Sequence, residues 1–207
     1  MIEETEKPEP NTQDLGDGLH LLLVRCGATE LDDQGRITGS LDLPLSDNGE
    51  AQARNLAIEL NELEIQKIYS APNIGAQQTA QQISRDGTIK SRVEEALGNL
   101  DHGLWHGKSI AELKETQPKL YRQWQEQPET ICPPDGETID AVRKRLNKFL
   151  KRLKKKHKSG VVALVISEPL ASIIHAEILK IEITQRWQVQ SNCGQWNLVT
   201  VPVEAAV

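Results

Sequence analysis

LHLLLVRCG, residues 19–27, and GVVALVISEP, residues 160–169, decide the fold. Each is a short apolar run ending at glycine or proline. Neither shows the apolar–polar alternation of a strand with one wet face. Runs of this kind are strands buried on both faces, and a sheet covered on both faces needs helices on either side. IQKIYS (65–70) is a third strand candidate, and 89–93 a fourth.

Helical patterns lie between these runs. Ser46 opens one in LSDNGEAQARNLAIELNEL (45–63), where Ala53, Leu56, Ala57, Leu60 and Leu63 recur at helical spacing. Residues 73–84, 109–126, 137–157 and 170–180 read as four more. Strands alternating with helices imply crossover connections and a largely parallel sheet, the α/β class. QWNLVTVPV (195–203) alternates apolar and polar residues and predicts a further, more exposed strand. In such sheets functional groups gather at the carboxyl ends of the strands. That directs attention to Arg25-Cys26-Gly27, Ser70-Ala71-Pro72 and Ser167-Glu168-Pro169.

Composition bounds the rest. The 207 residues are 38% hydrophobic and 26% charged, which supports a core and excludes a wholly disordered chain. The balance of 24 basic and 30 acidic residues, net −6, gives no global reason to expect nucleic acid. Residues 1–18 carry six acids, one base and two prolines, and predict a disordered acidic tail before one domain over 19–207. Cys26, Cys132 and Cys193 are far apart and odd in number, against a disulfide framework or a zinc ribbon. No apolar run reaches the roughly 18–20 residues of a membrane span. The N-terminus lacks the basic-then-apolar order of a signal peptide. A soluble cytoplasmic protein without membrane contact is the expectation.

Six segments in order resemble the histidine phosphatase superfamily, the phosphoglycerate-mutase-like fold. They are LLLVRCGATE (21–30), GSLDLPLSDNGEAQA (39–53), SAPNIGAQQTA (70–80), LGNLDHGLWHG (97–107), PDGET (134–138) and VVALVISEP (161–169). The family forms are Arg-His-Gly-Glu-Thr, Gly-x-x-Asp-x-Pro-Leu-[ST]-x-x-Gly, Ser-Ser-Pro-Leu-x-Arg-Ala-x-x-Thr-Ala, Leu-x-Glu-x-x-x-Gly-x-Trp-x-Gly, Pro-Gly-Gly-Glu-Ser and a strand ending in His-Gly. The resemblance implies a three-layer α/β/α sandwich with a mostly parallel sheet and no cofactor.

The same resemblance marks a loss. In intact members the first-motif His accepts the phosphoryl group. Two Arg and the second His hold its oxygens, and an acid protonates the leaving group. Here the nucleophile's place is taken by Cys26, the second Arg's by Gly75, the acid's by Asn99 and the second His's by Glu168. Asp32 replaces a frequent Asn, and Arg25 alone is retained. Phosphoryl transfer depends on electrostatic stabilisation of a dianionic group. Arg25 set against Asp32 and Glu168 leaves one excess negative charge, and Asn99 cannot act as an acid. These residues predict a degenerate pocket in a catalytically inactive homologue. It would act as a binding or regulatory module for a protein, or for a small molecule other than a phosphate ester. The alternative is a residual or altered phosphoric monoester hydrolase using Arg25 and Cys26, although residue 32 is Asp where a Cys-x5-Arg phosphate loop has Arg.

Other readings are weaker. Cys26, Asp32, His102 and Glu168 are metal-ligand types, but their positions on separate loops make no metal signature, and no metal is expected. His20, His106, His157 and His175 suit packing or surface roles. Residues 143–158 hold ten Lys or Arg and no acid. They offer a polyanion-binding stripe through Arg143, Lys144, Lys148, Lys151, Arg152 and Lys155. Val142, Leu146, Phe149, Leu150 and Leu153 support the plainer reading of an amphipathic helix with a basic wet face. Trp105 is expected to anchor its loop by packing, and Trp124, Trp187 and Trp196 to be core or interface residues.

Overall fold

In the computed structural model, residues 16–187 and 192–202 are described. The expected tail falls outside them except for 16–18. In chain order the elements are β1 (Leu19–Arg25), α1 (Glu30–Asp33), α2 (Asp47–Glu59), β2 (Ile65–Ser70), α3 (Ile74–Ile83) and β3 (Ser91–Val93). There follow α4 (Ile110–Thr116), α5 (Pro118–Glu126), α6 (Ile139–Lys156), β4 (Gly160–Ile166), α7 (Leu170–Leu179) and β5 (Trp196–Thr200). The sheet order is β3-β2-β4-β1-β5. β1, β2, β3 and β4 run parallel, and β5 pairs antiparallel with β1 at one edge. Helices cover both faces in a three-layer α/β/α sandwich.

The two apolar runs lie side by side at the centre, with Arg25 opposite Ile166 in register. Leu21 to Val24 and Val162 to Ile166 are wholly buried, as runs without alternation require. Ser46 caps α2 by accepting from the Gly49 N–H at 3.1 Å, and Thr138 caps α6 by accepting from the Ala141 N–H at 3.2 Å. α6 buries Ile139, Val142, Leu146, Phe149, Leu150 and Leu153 along one stripe. At about 2–5 kcal/mol for truncating such a leucine to alanine, Leu146→Ala alone would strip much of its anchoring.

Two expectations are corrected. The helix read over 109–126 is two helices, because Pro118 excludes Gln117 from helical geometry (φ −132°, ψ 57°). The fourth strand shrinks to three exposed residues at the sheet edge. Trp105 does pack as expected, edge-on to Trp124 with centroids 5.3 Å apart, in a second apolar cluster with Ile37, Ile110, Leu113 and Tyr121.

The end of β1 is locked to the start of α2. A Cβ on Gly27 would stand 2.2 Å from the Gly49 carbonyl oxygen, and one on Gly49 would stand 1.9 Å from that of Ala28. Only glycine allows this approach. It fixes the backbone that carries Arg25 and Cys26.

Candidate functional site

A cleft forms where β1 and β4 end side by side, as the strand-end rule predicts. Arg25, Cys26, Asp32, Asn99 and Glu168 all line it. Gly75 does not: it is buried on α3, and a Cβ there would press on the Leu43 carbonyl at 3.2 Å and on Leu45 at 3.3 Å. The enclosed volume is about 40 Å³. At roughly 10–15 Å³ per water that is room for about three waters.

Arg25 and Glu168 meet inside. The Arg25 Nε donates to Glu168 Oε1 at 2.9 Å, with side chains 12% and 2% exposed. Glu168 Oε2 accepts from the Ser172 N–H at 3.1 Å and the Ser172 hydroxyl at 2.7 Å, in the first turn of α7 where a carboxylate is favoured. A second Arg25 nitrogen donates to the Asn197 side-chain oxygen on β5. The guanidinium is therefore neutralised in place by the chain's own carboxylate.

Asn99 braces backbone. Its amide donates to the carbonyls of Gly39 at 3.0 Å and Glu168 at 2.8 Å, and its oxygen accepts from the Leu170 N–H at 3.3 Å. A carboxylate could not make those two donations. Asp32 accepts from the Thr29 N–H at 2.9 Å, the Thr29 hydroxyl at 2.7 Å and the Thr38 hydroxyl at 3.1 Å, closing the capping box of α1. Cys26 Sγ lies 3.0 Å from the Ser167 hydroxyl. Burial pushes its thiol up to about 11; the Asp32 charge adds to this and the Ser167 hydrogen bond opposes it.

Two cleft residues have roles that the sequence did not reveal. Arg36 is one, brought to the rim by the turn at Gly35, with its guanidinium donating to the Gly107 carbonyl at 2.7 Å. Counting it, Arg25 and Arg36 balance Asp32 and Glu168. The formal charge of the lining is zero and the single excess negative charge is corrected. His102 is the other. It is 3% exposed, and among the described residues neither ring nitrogen has a well-aligned hydrogen-bond partner, the Leu100 backbone being the polar group beside it. Its ring stands edge-on to Trp124, centroids 5.7 Å apart. Burial, helped by the neighbouring His106, pushes it down to about 4, so it is neutral at physiological pH. The signal for it was a histidine three residues before Trp105 in the same short turn.

Among the described residues no group of three or more His, Cys, Asp or Glu is placed to hold a metal ion. Among the described residues no helix is long and apolar enough to cross a membrane. The basic stripe lies away from the cleft, and the structure divides it. Arg143 is held by Glu129, by Glu177 at 2.9 Å and by Asp140 at 3.5 Å, and Arg152 by Glu94 at 2.9 Å. Lys144, Lys148, Lys151 and Lys155 are exposed along one line of α6.

A family profile described as "Histidine phosphatase superfamily (branch 1)" matches residues 21–204. The chain belongs to the histidine phosphatase superfamily. Phosphoserine phosphatase 1 of Hydrogenobacter thermophilus is 28% identical over 179 residues, covering 86% of this chain and 85% of that protein. The adenosylcobalamin/alpha-ribazole phosphatase of Escherichia coli K12 is 22% identical over 183 residues, covering 88% and 90%. Among solved folds, a mycobacterial glucosyl-3-phosphoglycerate phosphatase bound to VO3 superposes with a TM-score of 0.78 at 24% identity, over 86% of this chain and 91% of that one. The superfamily fold is thus intact around a cleft in which Arg25 is already paired with Glu168.

Proposed function

We propose that this superfamily member uses its strand-end cleft for binding and does not transfer phosphoryl groups. The observation that carries the reading is the Glu168 carboxylate on Arg25. A phosphate dianion approaching Arg25 would meet a carboxylate that is 2% exposed and already holds the guanidinium, in a cleft with room for only a few waters to screen the repulsion. Two further features support the reading. With its thiol at about 11, Cys26 is a thiolate in only about one molecule in 10⁴ at neutral pH, so it is a poor nucleophile. Asn99 offers no acidic proton, and its amide is committed to two carbonyls. The ligand would be a protein or a small molecule without a phosphate ester.

The alternative, a hydrolase working through Arg25 and Cys26, is favoured by relatives named as phosphatases. One assay separates the two. Wild type should release no phosphate from p-nitrophenyl phosphate above buffer. A variant carrying Cys26→His, Gly75→Arg, Asn99→Glu and Glu168→His tests whether the loss is local to the cleft. Turnover by wild type that disappears in Arg25→Ala would replace the binding reading with the hydrolase.

A further inference from the structure

We propose that the outer face of α6 is a docking surface for an acidic polypeptide segment, seated in the groove between the lysine line and the 95–96 turn. This surface stands apart from the cleft's chemistry and holds whether or not the cleft turns over a phosphate ester.

Lys144, Lys148, Lys151 and Lys155 follow i, i+4, i+7 and i+11, a single line about 16 Å long at ~1.5 Å per residue. None of the four makes an ion pair among the described residues. Beside the line runs a shallow, open groove of about 820 Å³, lined by Ala96 and Ala141 and by Lys144, Lys148, Lys151, Arg145 and Arg152; Lys155 lies beyond it. Glu95 is the carboxylate that lines it. Positive charge continues past the end of α6. There Lys67 is held below its usual value by partial burial and by the charges of Lys156, Lys90 and Arg92. Towards the other end, Glu95 and Arg145 also border a hollow with Gly39, Asn73 and Asn99, three residues of the cleft lining. That hollow also holds Asp42 and Glu137, so its carboxylates outnumber Arg145 and an acidic chain would stop short of the cleft.

The groove favours polypeptide over nucleic acid. Every guanidinium on α6 is committed to a carboxylate: Arg143 and Arg152 as above, and Arg145 to Glu137 at 3.0 Å. Arg143 and Arg145 are thereby withdrawn from phosphate or guanine, and only Arg152, bound through one nitrogen and 68% exposed, keeps donors to offer. No aromatic side chain lines the groove for base stacking. The line spans under about five base pairs at ~3.4 Å each, short for a duplex. The two alanines and the aliphatic stems of the lysines instead suit small apolar side chains set between carboxylates.

The test is fluorescence anisotropy of the full chain with a labelled (Glu-Ala)6 peptide, beside a single-stranded oligonucleotide of equal charge. The peptide should bind more tightly than the oligonucleotide. Its affinity should fall about tenfold or more between about 50 and about 200 mM salt. Replacing Lys144, Lys148, Lys151 and Lys155 together by Gln should abolish binding, and replacing them by Arg should keep it. Ala141→Phe, which blocks the groove without changing charge, should weaken the peptide several-fold and leave the oligonucleotide unaffected. Three outcomes would overturn the proposal: no peptide binding at the lower salt, an oligonucleotide that binds as tightly as the peptide, or peptide binding that survives the four Gln replacements.

Discussion

In the cleft, Arg25 is met by Glu168 at 2.9 Å, and Asp32 is met by three donors from Thr29 and Thr38. On the outer face of α6, four lysines stand along one line with no carboxylate against them among the described residues. The difference follows from water. A charge withdrawn from solvent costs several kcal/mol unless it is paired and hydrogen-bonded, so the cleft must resolve its charges internally. An exposed lysine keeps its hydration and can stay unpaired. The cleft's charges consequently hold the protein together, while the helix's charges remain free for an encounter.

Breaking the internal pair should have the largest effect. Glu168→Ala leaves Arg25 buried with only Asn197 opposite, and should cost about 3–5 kcal/mol in urea unfolding. The double variant with Arg25→Ala should recover part of that. Strictly additive losses would mean that the pair is not a unit and that the contrast with α6 is false. Next comes Asn99→Asp, which turns a carboxylate towards the carbonyls of Gly39 and Glu168. A loss of about 2 kcal/mol is expected, since two acceptors lose their donor.

The third test is pH. Burial pushes His102 down to about 4. His175 is also down to about 4, through burial and then the charges of Arg186 and Arg25. Both folded values lie below the ordinary one, so the unfolded chain takes up protons that the fold refuses. Stability should be complete above about pH 6.5 and fall steadily towards pH 4. His102→Phe should flatten the slope of melting temperature against pH. It should also add about 1 kcal/mol at neutral pH by removing two buried nitrogens that lack well-aligned partners. An unchanged slope would place the pH response elsewhere. The smallest effect belongs to the outer face. The four lysine-to-Gln replacements should leave the melting temperature unchanged or slightly raised, because like charges one turn apart repel. A marked loss would show that the line is structural.

The backbone was far more legible than the cleft. The runs in β1 and β4 lack alternation because both faces are covered, and the apolar spacing of α6 survives ten basic residues because burial is set by position around the helix. Gln117 broke an expected helix through a steric effect of its successor, Pro118, that periodicity does not register. In the cleft, residue types were readable but their partners were not. Arg25 and Glu168 stand 143 positions apart, and nothing local tells that each answers the other. Asn99 read as a missing acid, while its backbone-bracing role exists only after three loops converge. Arg36 and Gly75 show the same limit: only the folded loops bring Arg36 to the rim, and only the packing of α3 on Leu43 and Leu45 takes Gly75 away from the lining. The outer charges of α6 needed no such knowledge, except to learn which arginines were taken.

Gly27 and Gly49 touch so closely that neither position has space for one more carbon. Both belong to segments by which the family can be recognised. Side chains that line the cleft can therefore be exchanged one at a time, whereas any side chain at either glycine would have to part the end of β1 from α2. Ancestry is inherited here as a steric constraint, and it persists independently of whatever chemistry selection keeps or discards around it.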